Sequence, residues 1–153
     1  MAIEDVIRQP KFESEYQKVA VNILHTSSWL YNRQAIRLKP FNITPEQFNV
    51  LRILRGSHPK ALRLADIAGR MIDKSSNATR LVEKLRQKDL VSRTLCESNR
   101  RQVDIHITSK GLKVLEKIDK ETDGWMGMLK NISKSDAIEL NRILDKLRGA
   151  LKM

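Results

Sequence analysis

The sequence predicts a mostly α-helical chain carrying one small β-hairpin, and three observations lead there. Apolar residues recur at steps of three and four over most of the 153 residues, the spacing that lines one face of a helix. Leu90–Leu95 and Val103–Ile107 read as two short strands, the second with Val103, Ile105 and Ile107 on one face and Asp104 and His106 on the other. A charged content of 31% with 5% aromatics suits a helical protein better than a β-sandwich.

The first long helix is expected over residues 12–38, with a stripe at Tyr16, Val19, Ala20, Ile23, Leu24, Leu30, Tyr31, Ala35 and Leu38. That stripe is longer than a small domain can cover, so a partner helix from this chain or a second one is its natural cover. Pro40 ends the helix, because the residue before proline is pushed out of the α region. Thr44-Pro45-Glu46-Gln47 then reads as a capped start, with Thr44 and Gln47 forming a capping box around Pro45. Phe48, Leu51, Ile53 and Leu54 follow, and Gly56 is the expected stop. Lys60–Arg63 fits a short strand.

The next two helices sit close together. Leu64–Met71 places Leu64, Ile67, Ala68 and Met71 on one face. A turn at Ile72-Asp73 leads into a second helix over Ser75–Lys88, for which Asp73 is the expected N-cap. Its inward face is Ala78, Leu81, Val82 and Leu85. Its outward face carries Lys74, Ser75, Ser76, Asn77, Thr79, Arg80, Lys84, Arg86 and Lys88. In the hairpin, Val103, Ile105 and Ile107 share a face, and Glu97–Arg101 forms a polar tip. Thr108 caps a helix expected to run to about Lys130, with Leu112, Leu115, Ile118, Thr122, Met126 and Leu129 at close to a 3.5-residue repeat. Ser133 with Asp136 starts a last helix whose stripe is Ala137, Leu140, Leu144, Leu147 and Leu151.

Lys plus Arg exceed Asp plus Glu by 29 to 18, a net charge of +11. Such a surplus favours polyanionic partners without choosing among them. No apolar run approaches the ~20 residues that span a bilayer, and the first residues lack the pattern of a signal peptide, so a cytoplasmic location with no membrane partner is expected. Cys96 is the only cysteine, which precludes an intrachain disulfide. His25, His58 and His106 are scattered, so no metal site and no cofactor is expected. A Gly-rich phosphate loop, a nucleophile elbow and a paired-carboxylate motif are all missing, which argues against an enzyme.

The stretch from Leu64 to Thr108 therefore has the order helix, turn, basic helix, hairpin: a helix-turn-helix followed by a wing. Such recognition needs a second helix that is apolar on one side and carries donors at the start of the other, where it enters a major groove about 12 Å wide. Ser75, Ser76, Asn77, Thr79, Arg80 and Lys84 meet that need. Asn pairs with adenine and Arg with guanine, while Ser and Thr serve phosphate positioning equally well. The alternative, an ordinary surface helix meeting only water, is weakened by the hairpin. Arg100-Arg101 at its tip is poorly explained by packing, although Asp104 could pair with Arg93 or Arg101. Reaching the adjacent minor groove or backbone is the functional reading of Arg100 and Arg101.

These residues resemble the MarR family, the multiple-antibiotic-resistance regulators of bacteria. The resemblance is carried by LADIAGRM, by SSNATRLVEKLRQKDLV followed by SR, and by NRRQVDIHIT passing into SKGLKVL. It implies a single domain over residues 1–153, in which 41–108 is a winged helix-turn-helix core and 1–40 with 109–153 form a helical dimerisation region. It also implies a homodimeric, sequence-specific regulator of transcription on double-stranded DNA, repressing or activating at a pseudo-palindromic operator and often relieved by a small ligand or by oxidation, of which a repressor modulated by a small-molecule effector is the expectation here. Two departures stand out. Asn99 occupies a wing position where the family usually has Asp before the Arg pair, and Asn99, Arg100 and Arg101 together are the expected wing contacts. Asp89 ends the recognition helix where the family often has Gly; Asp tolerates the left-handed conformation better than most residues, but at some cost.

Sensor chemistry is less legible. Arg93 and the wing arginines could lower the pKa of Cys96, but a lone half-buried cysteine is more often inert. Trp29, Tyr31 and Trp125 could line an aromatic pocket for a small apolar ligand, but the favoured reading is that they are core or dimer-interface residues. A winged-helix module that binds protein instead of specific DNA is the alternative function, distinguished by the lack of a footprint on its own promoter.

Overall fold

The computed structural model describes residues 1–96, 99–121 and 127–149, with the side chains of 96 and 99–102 outside that description. The residues cluster into two compact units, Met1–Leu115 and Glu116–Met153.

The first unit opens with a helix that sequence periodicity is too short to reveal, α1 (Ile3–Ile7), whose Ile3 is buried and whose Glu4 meets Lys18 at 2.6 Å. Helix α2 spans Glu15–Leu38 and starts later than expected, because the side chain of Ser14 caps it by accepting from Gln17 N. It ends at Leu38, and Pro40 sits in a 3₁₀ turn over Lys39–Phe41. Helix α3 (Pro45–Ser57) has the expected capping box: Gln47 N donates to Thr44 Oγ1 at 3.2 Å and Thr44 N to Gln47 Oε1 at 3.3 Å. Its end corrects the sequence reading. Gly56 lies inside the last turn, no glycine among the described residues has a positive φ, and the helix stops at Ser57 because His58 takes the extended ψ of 136° that Pro59 imposes. Val50, rather than the half-buried Ile53, joins Leu51 and Leu54 in the core.

A two-residue strand, β1 (Leu62–Arg63), leads into α4 (Leu64–Arg70), and α5 follows over Ala78–Gln87. The hairpin is β2 (Val91–Cys96) and β3 (Asn99–Ile107), and the antiparallel sheet has the order β1-β3-β2. Leu62, Ile105 and Arg93 lie side by side across it. The core gathers Leu38 of α2, Val50, Leu51 and Leu54 of α3, Ile67 of α4, Val82 and Leu85 of α5, and Ile105 of β3, all under 3% exposed. Each such aliphatic side chain contributes about 1.5–3 kcal/mol of burial. The two helices of the motif are thus fixed to a common floor.

The end of α5 is held on three sides. Asp89 N donates to Arg86 O at 2.9 Å and Leu90 N to Leu85 O at 3.0 Å, which closes a Schellman motif with Asp89 at φ 58°. Thr108 Oγ1 donates to Asp89 O at 2.7 Å and also accepts Gly111 N at 3.0 Å, so it caps α6 (Ser109–Lys120) as expected. Lys110 Nζ reaches Lys88 O at 2.9 Å.

Helix α6 is shorter than the sequence suggested: it stops at Lys120, and the later segment over Met128–Asn131 is a 3₁₀ turn. In the second unit, α7 runs over Lys134–Gly149 and starts at Ser133, whose Oγ accepts Asp136 N at 3.1 Å. The stripe positions Thr122, Met126 and Leu151, with Trp125, lie outside the described residues. No described helix is long and apolar enough to cross a membrane.

Candidate nucleic-acid interface

Helix α5 begins three residues later than the pattern of polar residues suggested. Its N-cap is Asn77, whose Oδ1 accepts Arg80 N at 3.0 Å, and not Asp73. Asp73 has a different job. Its Oδ1 accepts both Ser75 N at 2.9 Å and Ser75 Oγ at 2.7 Å, while Ser76 N donates to Asp73 O at 3.2 Å. These bonds fold Asp73–Ser76 into a tight turn and hold the Asp73 carboxyl below its usual range, the Ser75 hydroxyl being the largest cause. The sequence could not separate the two roles, since Asp and Asn are equally good caps. Asn49 of α3 fixes the turn from behind, its Oδ1 accepting Ile72 N at 2.9 Å.

Of the expected DNA-facing residues, Ser75 is exposed in that turn, Ser76 is half-buried, and Asn77, Thr79, Arg80 and Lys84 are exposed along α5. Asn77, Thr79, Arg80 and Lys84 line one open concavity of about 510 Å³ together with Glu83 and Gln87. Glu83 and Gln87 were missed in the sequence reading. Their signal was available, because Thr79, Glu83 and Gln87 recur every four residues and so share a helical face.

Lys88 departs from the outward face assigned to it. It is half-buried, and its Nζ donates to Asn42 O and, at 3.1 Å, to Gln47 Oε1. Burial first, and the neighbouring Lys84 charge second, lowers its pKa. The carboxamide of Gln47 thereby serves both the cap of α3 and the end of α5, which explains why a glutamine is tolerated at 6% exposure.

The wing corrects a further expectation. Arg100 and Arg101 lie not in the turn but in β3, which extends back to Asn99 opposite Cys96, with an irregularity in register after Leu95. The side chains of Cys96, Asn99, Arg100 and Arg101 lie outside the described residues, and so does Glu97. Arg93 turns to α5, its Nη1 3.7 Å from Glu83 Oε2. Among the described residues no three His, Cys, Asp or Glu side chains gather as metal ligands would.

The arrangement is a helix start seated on the core and presenting hydroxyl, amide and cationic donors, beside a hairpin whose second strand has Arg100 and Arg101 just after its first residue. Such donors suit phosphate oxygens and base edges. Comparison with known proteins points the same way. A model of the MarR family matches residues 43–103. The HTH-type transcriptional regulator MgrA of Staphylococcus aureus is 28% identical over 109 residues, 71% of this chain and 72% of that protein. The HTH-type transcriptional repressor MdtR of Bacillus subtilis is 38% identical over 69 residues, 45% of this chain and 43% of that one. Among solved structures, a MarR transcription factor from Planctomyces limnophilus is 27% identical with a TM-score of 0.68, covering 88% of this chain and 98% of that one. The S. aureus MepR–DNA complex, at 22% identity, has the same fold with a TM-score of 0.78 over 92% and 100% of the two chains. So has the organohalide-sensing regulator RdhR-CbdbA1625 in its 2,4-dichlorophenol-bound form, at 19% identity, with a TM-score of 0.82 over 94% and 87%.

Proposed function

The chain is a DNA-binding winged helix-turn-helix transcriptional regulator of the MarR family, and from that premise we propose that it acts as a homodimeric repressor on a pseudo-palindromic operator. The observation that carries the DNA-facing assignment is the exposed α5 stripe. Asn77, Thr79, Arg80 and Lys84 share one concavity on a helix whose opposite face is buried. Arg80 reads a base edge, Lys84 and the Ser75–Ser76 turn position phosphates, and Asn99, Arg100 and Arg101 contact the flanking groove from the wing.

The dimer is supported by apolar side chains that the single chain leaves in solvent. On α2 these are Tyr16, Val19, Leu24 and Ile36, and on α7 Ile138, Leu140, Ile143 and Leu147, all at least 46% exposed. Exposure on that scale marks surface awaiting a partner. Two α5 helices about 34 Å apart would match successive major grooves.

Relief by a small ligand is supported by two features. The dichlorophenol-bound relative shares the fold. Here Tyr31, Ile36, Lys39, Ile43 and Pro45 line an open concavity of about 380 Å³, a size that takes a small molecule. Lys88 ties Asn42, at its wall, to the end of α5, so an occupant displacing residues 42–45 would pull on the recognition helix. Trp29 does not line that space, and Glu46 pushes the Tyr31 hydroxyl pKa up through a hydrogen bond.

The test is a fluorescence-anisotropy titration on duplexes tiling the region upstream of the protein's own gene. One site should bind at least ~10³-fold more tightly than the rest. Equal affinity for every duplex would overturn the sequence-specific reading.

A further inference from the structure

The exposed stripe of α5 carries one anion among its donors. Glu83 shares the concavity with Asn77, Thr79, Arg80, Lys84 and Gln87. A carboxylate facing a polyanion opposes binding unless something neutralises it. Two guanidinium groups do so here. Arg86, one turn on, donates from Nε at 3.0 Å and from Nη2 at 2.8 Å to the two carboxylate oxygens, a bidentate pair of the strong, directional kind. Arg93, from strand β2 of the wing, brings Nη1 to 3.7 Å. Both arginine side chains are otherwise open to solvent, 51% and 42% exposed.

We propose that Glu83 restrains sequence-independent DNA binding: it engages Arg86 and Arg93 on the face of the recognition helix and so withholds two cations from the phosphate backbone. The proposal rests on reading the α5 stripe as the DNA face. Each arginine that reaches a phosphate adds affinity for any sequence and steepens the dependence of log K on log salt by about 0.9. A protein with net charge +11 already carries ample attraction of that kind. What it needs for discrimination is a limit on it, which a fixed carboxylate provides without touching Arg80. The Arg86 hydrogen bonds, ahead of the charges of Arg86 and Arg93, hold the Glu83 carboxyl below its ordinary range.

The test compares the full-length protein with Glu83→Gln and Glu83→Asp on a duplex of arbitrary sequence and on the operator, across a salt series. Glu83→Gln should bind the arbitrary duplex severalfold more tightly at low salt, with a slope steeper by about 0.9–1.8. That advantage should shrink about threefold per added contact between 50 and 200 mM salt. Glu83→Asp keeps the charge and should keep the wild-type slope. Adding Arg86→Gln and Arg93→Gln to Glu83→Gln should remove the gain. An unchanged slope, or weaker binding to the arbitrary duplex, would overturn the proposal. Arg80→Ala run alongside separates the two levels: if it weakens operator binding while Glu83→Gln changes nothing, only the role of Glu83 is wrong. If Arg80→Ala is also silent, the DNA face itself has been misassigned.

Discussion

The side-chain oxygen of Asn77 accepts the backbone N–H of Arg80 at 3.0 Å, so the residue that starts the recognition helix is bonded to the residue placed to read DNA. The amide group of Asn77 is therefore half committed: its oxygen holds the helix, and only its NH₂ can be offered outward. Asn77→Ala should cost about 1 kcal/mol of stability, the usual loss on removing a cap, and should weaken operator binding by more than that stability loss explains. Asn77→Ser should restore the melting temperature, because serine caps equally well, but not the full affinity. Thermal melts and anisotropy on the same variants check both parts.

Arg80 and Lys84 lie one turn apart on the same concavity but should behave differently. Arg80→Ala should lose about 1–3 kcal/mol at the operator and relax preference at one base position. Lys84→Ala should weaken all duplexes nearly alike and reduce the salt slope by about one contact. Competition with a set of single-base operator variants distinguishes the two patterns.

Asp89 holds a φ of 58° at the C′ position of α5. Glycine takes that conformation without the steric cost an L residue carries, and part of the gain is offset by the greater freedom of glycine in the unfolded chain. Asp89→Gly should stabilise the protein by about 0.5–1 kcal/mol. Denaturant unfolding with an unchanged m-value is the check.

Gly111 sits where α6 passes the base of the wing. A Cβ there would overlap the carbonyl oxygen of Leu90 and lie 2.8 Å from Ile107 Cγ1. The carbonyl cannot give way easily, since it accepts Thr108 N at 3.1 Å. Gly111→Ala should therefore destabilise by about 1–3 kcal/mol despite the better helix propensity of alanine. A rise in melting temperature would show that α6 can shift away.

The turn before α5 should respond to acid through Asp73. Its folded pKa lies below the ordinary 3.8, so its stabilising bonds to Ser75 are fully present above 3.8 and are lost as pH falls through the lowered value. Asp73→Asn keeps an acceptor that does not titrate. The wild type should thus lose more of its melting temperature than Asp73→Asn when acidified past that range, and parallel profiles would count against the turn's dependence on the carboxylate.

Much of the fold was legible in the sequence because its determinants are local. The capping box of Thr44 and Gln47, the inward face of α5 and the alternation of β3 are all readable from spacing alone: Ala78, Val82, Leu85, Ile105 and Ile107 are buried as predicted, while Leu81 and Val103 on the same faces are half-buried. Local rules misled where two residues compete for one job. Asp73 and Asn77 are both good caps, and the helix starts at the one whose backbone is not already bound into the preceding turn. Gly56 and Pro59 both end helices, and the proline prevailed because its effect on His58 is steric.

The sequence by itself determined the order of the longer helices and the strands, the helix-turn-helix with its wing, and the apolar stripes on α2 and α7 that one chain leaves uncovered. Those follow from periodicity and short-range bonding, which depend on residues a few positions apart. Only the tertiary structure decided that Lys88 turns inward to Asn42 and Gln47, that Arg93 reaches from the wing to Glu83 on α5, and that Gly111 is packed against Leu90. Those pairs join groups 10 to 46 positions apart. An exposed-looking charge finds such a partner only when separate elements are brought onto the same core, and periodicity carries no record of that.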